Sequence, residues 1–323
     1  MNPTVPPEAI VITGPTGTGK SAVAVEVAER VNGAIVSADS RQIYRHMDVG
    51  TAKPPLALRR RVPHYGLDRL DPDESYSAGR FARDAWSWIE EIHSRGQVVI
   101  VVGGTGFFIR ALLEPLGPEP ELTPERRTRL RRYLAGLPVE ELHRWLERLD
   151  PLREGQLKEE GGGQRLGRSL EVVLLSGRRH SWWLDRPAET RPLAARVFCL
   201  AMSREALYRR IDERFDRMME AGFLDEVRVL FERFGATAPG LRSVGYAELA
   251  AHLAGADSLD AAVDAAKRNT RRYARRQLTW FRHQLPEDTV WLAADRPVAE
   301  LADEVVRGWR DRAASLAGSG GGA

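Results

Sequence analysis

Apolar residues in the first third of the chain follow two rhythms. Ala9–Thr13 (AIVIT), Ala34–Ser37 (AIVS) and Gln97–Val102 (QVVIVV) are short, nearly unbroken, β-branched runs. Such runs belong to strands buried on both faces. Between them, Lys20–Val31 and Tyr76–Ser94 space their apolar residues three and four apart, which predicts helices that bury one face. Strands alternating with helices predict a parallel α/β sheet that gathers ligands at the carboxyl ends of its strands.

From about Glu119 the texture changes. The stretch PLGPEPELTPERR holds four prolines and gives way to arginine-rich helical segments at Pro124–Ala135, Val139–Leu149 and Gln164–Ser176. A glycine-rich loop, EEGGGQR, leads into the last of these. Arg196–Met202 resumes the strand pattern. Helices are expected at Arg204–Met219, Phe223–Phe234 and Asp257–His283, and a last strand at Thr289–Leu292. The ending SLAGSGGGA reads as a flexible tail.

Composition narrows the class. The 323 residues are 43% hydrophobic and 29% charged, which suits a globular domain with a real core. The formal charge is only +3, but the arginines are clustered, and a local basic stripe is what phosphodiesters feel. A single cysteine, Cys199, excludes an internal disulfide and points to a reducing compartment. No apolar run approaches a membrane span, and MNPTVPPEAIVI lacks the basic start of a signal peptide. A cytoplasmic, monomeric enzyme or binding protein is the expectation.

The first motif with chemistry is Gly14-Pro15-Thr16-Gly17-Thr18-Gly19-Lys20-Ser21, which fits G-x-x-x-x-G-K-[ST] between a predicted strand and a predicted helix. Glycines let the backbone curl round an anion, and the helix N-terminus adds about half a positive charge. Lys20 can reach terminal phosphates and Ser21 can ligate Mg²⁺. The fold class is therefore α/β, with a P-loop NTPase-like parallel sheet core over 1–119 and 194–313. A mostly helical insertion occupies 120–193, and 314–323 is the tail. Val98–Val102 ends in Gly-Gly-Thr, with no carboxylate for a metal. The nearest acidic candidate is Asp39, which on local sequence suits a metal-holding group and a general base equally.

Several blocks together resemble the tRNA dimethylallyltransferase (isopentenyl-tRNA transferase) family. They are GPTGTGKS, SADSRQIYRHMDVGTAKP (Ser37–Pro54), LDPDESYSAGRF (Leu70–Phe81), VVGGTGFFIRALL (Val101–Leu113), QRLGRSLEV (Gln164–Val172), IDERFDRMMEAGFLDEV (Ile211–Val227), RSVGYAEL (Arg242–Leu249) and RRYARRQLTWFR (Arg271–Arg282). The blocks run in order over nearly the whole chain. The resemblance implies transfer of a dimethylallyl group from its diphosphate to N6 of the adenosine on the 3′ side of a tRNA anticodon. The phosphate loop would then hold an isoprenoid diphosphate with Mg²⁺, aided by Arg214. On residues alone, Arg214 reads as a solvated helix arginine. Asp39 would take the proton from N6, and Thr105 would lie near the leaving oxygen, although a helix cap is its plain structural reading. Phe107, Phe108 and Ile109 are candidates for the prenyl slot, with core packing as the alternative.

The helix expected at 257–283 carries Lys267, Arg268, Arg271, Arg272, Arg275, Arg276 and Arg282, with no acidic residue from Lys267 to Arg282. Arg268, Arg271, Arg272 and Arg275 would share one face, and a one-sign stripe points to nucleic acid. Arg126, Arg127, Arg129, Arg131 and Arg132 form a second cluster. By resemblance, tRNA contacts fall on Asp39, Ser40, Arg41, Gln42, Thr105 and Arg127, and on Gln164, Arg165, Leu166, Gly167 and Arg168. Two further blocks are Arg242, Ser243, Val244, Gly245, Tyr246 and Ala247, then Arg275, Arg276, Gln277, Leu278, Thr279, Trp280, Phe281 and Arg282. The chain departs from the family at Lys158–Gly163, where a His-Pro-Asn-Asp-like turn is usual, and at Phe108, where tyrosine is common. A small-molecule kinase is the competing reading, but it has no use for the arginine stripe.

Overall fold

The computed structural model describes residues 8–319, apart from 116, 119, 121, 159–161 and 189. Strands β1 (Ala9–Thr13), β2 (Gly33–Ser37), β3 (His64–Tyr65), β4 (Val98–Gly103), β5 (Ala195–Ala201) and β6 (Val290–Ala293) form one sheet in the order β3-β2-β4-β1-β5-β6. Every neighbouring pair is parallel, with Ile12 opposite both Val102 and Phe198. The sheet has the P-loop NTPase-like arrangement expected from the sequence.

The unbroken apolar runs are explained by two cores, one on each face. Ala9, Val11, Val99, Val101 and Cys199 point to the face covered by the Ala78–Ser94 helix, through Phe81 and Ile89. Ile10, Ile12, Ile100 and Phe198 point the other way, toward Val23 and Val27 of the Lys20–Val31 helix. Leu301, Ala302 and Val305 complete that second core from a helix at Val298–Ser319. The expected tail is thus helical as far as Ser319, and 320–323 lie outside the described residues. Burial of the apolar positions at 301, 302, 305 and 306 drives that helix onto the sheet. Phe198 is fully buried, so Phe198→Ala should lower unfolding free energy by about 3–5 kcal/mol in a denaturant titration.

The chain divides into two compact units, Met1–Glu114 with Pro192–Ala323, and Pro115–Arg191. The second unit has its own core of Leu134, Leu142, Leu146, Leu157, Leu166 and Leu170. Asp150, fully buried, ties it together. Its carboxylate accepts from the Arg153 amide (3.3 Å), the Ser181 amide (2.8 Å) and the Ser181 hydroxyl (2.6 Å). Glu159, Glu160 and Gly161 of the expected glycine loop lie outside the described residues, and the following helix starts at Gly163. No helix among the described residues is long and apolar enough to cross a membrane.

Candidate functional site

The phosphate loop leaves β1 at Thr13 and closes on itself through one carbonyl. Pro15 O accepts from the Thr18 amide (3.4 Å), the Thr18 hydroxyl (2.9 Å) and Lys20 Nζ (3.3 Å). Gly14 sits at φ 142°, and a Cβ there would lie 2.4 Å from Leu200 O, so only glycine fits. Ser21 is exposed in the first turn of the helix that begins at Lys20.

Two cations and one carboxylate sense each other here. Burial pushes the Lys20 ammonium down to about 8, with the Asp39 charge opposing and Arg214 adding to the fall. Burial likewise lowers the Arg214 guanidinium, again opposed by Asp39. Arg214 Nη1 donates to Thr16 Oγ1 at 3.4 Å, so this arginine lies against the loop and is not a solvated helix residue. Asp39 follows the end of β2, and its Oδ1 accepts from the Arg41 amide at 2.9 Å.

Thr105 begins the helix after β4, but its side chain makes no capping bond. Its Oγ1 accepts from the Ser40 amide (3.0 Å) and donates to Ser40 Oγ (3.2 Å), which ties the ends of β2 and β4 together. The plain capping role is therefore not what this hydroxyl does. Ser40 and Arg41 are partly buried beside it, whereas Gln42 is buried. Gln42 accepts from Ser37 Oγ (3.0 Å) and donates to Thr51 O (3.2 Å), so it braces the turn.

The two phenylalanines of the expected prenyl slot divide. Phe108 is buried and stacked on Phe81 at 4.3 Å, and Ile109 lies in the same core. Phe107 is 64% exposed and tilts against Trp280 at 5.9 Å. Core packing accounts for Phe108 and Ile109, and of the three only Phe107 offers apolar surface.

The arginine stripe is also redistributed. On the Leu259–Gln284 helix, Arg271 binds Asp212 through both carboxylate oxygens (2.6 and 2.7 Å), and Lys267 binds Asp216 (2.5 Å). The exposed face consists of Arg268, Arg272, Arg275, Thr279 and Arg282, with Arg276 exposed beside it. Leu278 and Trp280 are partly buried; Gln277 and Phe281 are buried. In the 242–247 block, Arg242 and Ala247 are exposed, Val244 is partly buried, and Ser243, Gly245 and Tyr246 are buried. Tyr246 donates to Glu226 Oε1 (2.6 Å), and Glu226 also accepts the amides of Asp48, Val49 and Gly50.

Within the insertion, Arg127, Arg131 and Arg168 converge on Glu171, whose side chain is fully buried; Arg127 Nε lies 2.7 Å from its Oε1. Burial pushes that carboxyl up, yet hydrogen bonds from Arg131 and Arg127 hold it below the usual carboxylate value. Gln164 and Arg165 are exposed, Leu166 is buried, and Gly167 is partly buried. Neither Glu171 nor Glu226 is singled out by the sequence, because a lone glutamate in a helix gives no sign of what it will bind. Tyr273 is a further residue that sequence reasoning missed. Burial with the Asp39 charge pushes its hydroxyl up to about 12.

The donor set suits a hard cation held mainly by its ligand. The Ser21 hydroxyl is exposed at the loop, and no group of three or more His, Cys, Asp or Glu gathers among the described residues. Mg²⁺ is commonly bound in this way, through one or two protein oxygens plus phosphates and water.

Comparisons with known proteins agree across most of the chain. A family profile described as IPP transferase matches residues 42–284, and one described as isopentenyl transferase matches residues 7–66. The tRNA dimethylallyltransferase of Geobacter metallireducens is 44% identical over 286 residues, covering 88% of this chain and 91% of its own. That of Thermomicrobium roseum is 42% identical over 310 residues, covering 94% and 92%. The crystal structure of the full-length tRNA isopentenylpyrophosphate transferase from Bacillus halodurans aligns over 96% of this chain and 98% of its own, with a TM-score of 0.68 and 34% identity. A eukaryotic dimethylallyltransferase, solved acting on tRNA, aligns over 89% and 74%, with a TM-score of 0.74 and 27% identity.

Proposed function

This chain belongs to the IPP transferase family, and on that premise we propose that it transfers the dimethylallyl group of dimethylallyl diphosphate to N6 of the adenosine 3′ of the anticodon in tRNA. The observation that carries this reading is the grouping at the carboxyl ends of the strands of Lys20 and Arg214, both bonded to the phosphate loop, with Asp39 in the turn that Thr105 ties to β4. A kinase has no use for the exposed arginine face of the Leu259–Gln284 helix, and the relatives in hand are prenyltransferases.

In the reaction the allylic C–O bond breaks, its electron pair leaves on diphosphate, and the N6 lone pair forms the new C–N bond. Lys20, Arg214 and the loop amides face the charge that grows on the leaving oxygens. Thr105, fixed by Ser40, would donate toward the leaving oxygen. Asp39 accepts the proton that N6 gives up. Mg²⁺ held at Ser21 supplies further charge neutralisation when bound. An anticodon loop is single-stranded, so presenting its adenosine costs less than flipping a base out of a duplex. The exposed arginines at 268, 272, 275, 276 and 282 suit its phosphates, and the protein is proposed to act as a cytoplasmic monomer.

The test incubates the protein with Mg²⁺, labelled dimethylallyl diphosphate and an unmodified anticodon stem-loop. A matched control carries guanosine in place of the target adenosine. Label is expected on the adenosine stem-loop alone. Label on neither, with ATP turned over in a parallel assay, would reject the reading.

A further inference from the structure

The side chain of Gln277 bonds the arginine helix to the phosphate loop. Gln277, only 7% exposed, accepts from the Thr16 amide through Oε1 (3.0 Å) and donates through Nε2 to Gly104 O (2.7 Å). One partner is a donor and the other an acceptor, so only this orientation of the amide satisfies both. The fit is close: a Cβ at Gly104 would lie 2.6 Å from Gln277 Nε2. The solvent side of the same helix carries Arg272, Arg275, Arg276 and Thr279.

Thr16 is held by partners from outside the loop. The loop's own bonds end on the Pro15 carbonyl and come from Thr18 and Lys20. The Thr16 amide is held from outside, by Gln277, and its hydroxyl by Arg214. Gly104 opens the segment that carries Thr105, so the same amide also fixes the neighbouring strand end. A shift of the helix therefore moves the loop and the Thr105 segment together.

We propose that Gln277 couples the two substrate sites: RNA seated on the exposed arginine face fixes the helix, and through Gln277 holds the phosphate loop in its diphosphate-binding form. This rests on the functional reading above for which ligand each surface takes. It makes Gln277 a positioning residue for the donor, although it lies within a stretch expected to contact RNA. Thermodynamic linkage then requires each ligand to tighten the other by the same factor.

The experiment measures binding of inorganic diphosphate with Mg²⁺ by calorimetry, alone and with saturating guanosine-substituted stem-loop, which cannot react. In the wild type the stem-loop should tighten diphosphate at least about 5-fold. In Gln277→Met, similar in length but unable to make either hydrogen bond, that factor should fall to about 1 while the stem-loop still binds. Gln277→Glu keeps an acceptor for Thr16 but sets a carboxylate against Gly104 O, and should also lose the coupling. An equal factor in wild type and Gln277→Met, or no tightening in the wild type, overturns the proposal. The linkage is read from binding alone, so its failure and the failure of label transfer are distinguishable results.

Discussion

Asp39→Asn is expected to lower kcat by about 10²–10⁴-fold, the range lost with a general base. The substitution is conservative in every other respect. Asn keeps a carbonyl oxygen for the Arg41 amide that Oδ1 accepts at 2.9 Å, so the turn after β2 should persist. What disappears is a negative charge and a proton acceptor. Binding of the stem-loop should change only a few-fold, because the exposed arginines that suit it are untouched. Single-turnover rates with saturating substrates provide the measurement. Recovery of most of the rate in excess Mg²⁺ or Mn²⁺ would move Asp39 from base to metal-holding group. A loss smaller than tenfold would remove it from the chemistry.

Lys20→Met should cost about 10²–10³-fold in kcat, comparable to removing one preorganised donor from a developing oxyanion. It should also change the pH profile. The Lys20 ammonium is pushed down to about 8 from its ordinary 10.5, mainly by burial. The charged form is the one that faces diphosphate, so it is intact well below pH 8 and is lost as pH rises through that value. The kcat/KM for the donor should therefore fall above about pH 8 in the wild type. Bound diphosphate favours the ammonium, so the same limb should appear at higher pH in kcat. Lys20→Met should lack this limb; a wild-type profile flat to pH 10 would contradict the assignment.

The parts of the molecule legible in the sequence are those where local chemistry and fold demand the same residues. β1 and the Lys20–Val31 helix have the boundaries expected, because a two-sided buried strand, a glycine loop and an amphipathic helix each leave a distinct pattern. The two-residue β3 is too short to leave a period, and the eight-residue helix Tyr246–Leu253 lies between Gly245 and Gly255 and is too short to leave a clear one. The Val298–Ser319 helix lies beyond the last element expected from the sequence, because its C-terminal end runs into the glycine-rich ending and only its packing against the sheet reveals it.

The site shows a similar division. Gly14–Ser21 and Asp39 are recognisable as types of residue, whereas the fate of each arginine is set by partners far away in sequence. Arg271 goes to Asp212, 59 positions away, and Arg127 to Glu171, 44 away. No one-dimensional pattern distinguishes these from Arg272 or Arg275 on the exposed face. Gln277 is the extreme case, bonded to Thr16 across 261 positions.

The strand order has a consequence for biosynthesis. β1 leaves the ribosome before the other five strands of its sheet, yet its partners are β4 and β5, and Ala9 pairs with Ala195. About 180 residues, the whole insertion included, are translated between the end of β1 and the start of β5. At bacterial-to-eukaryotic rates of about 5–20 residues per second, β1 waits on the order of 10–40 s with one edge unpaired. The nascent chain must keep that apolar strand from pairing with a neighbour on the same message. Slow translation before β5 leaves the ribosome should therefore favour chaperone dependence and aggregation, while stalling after it has left should not.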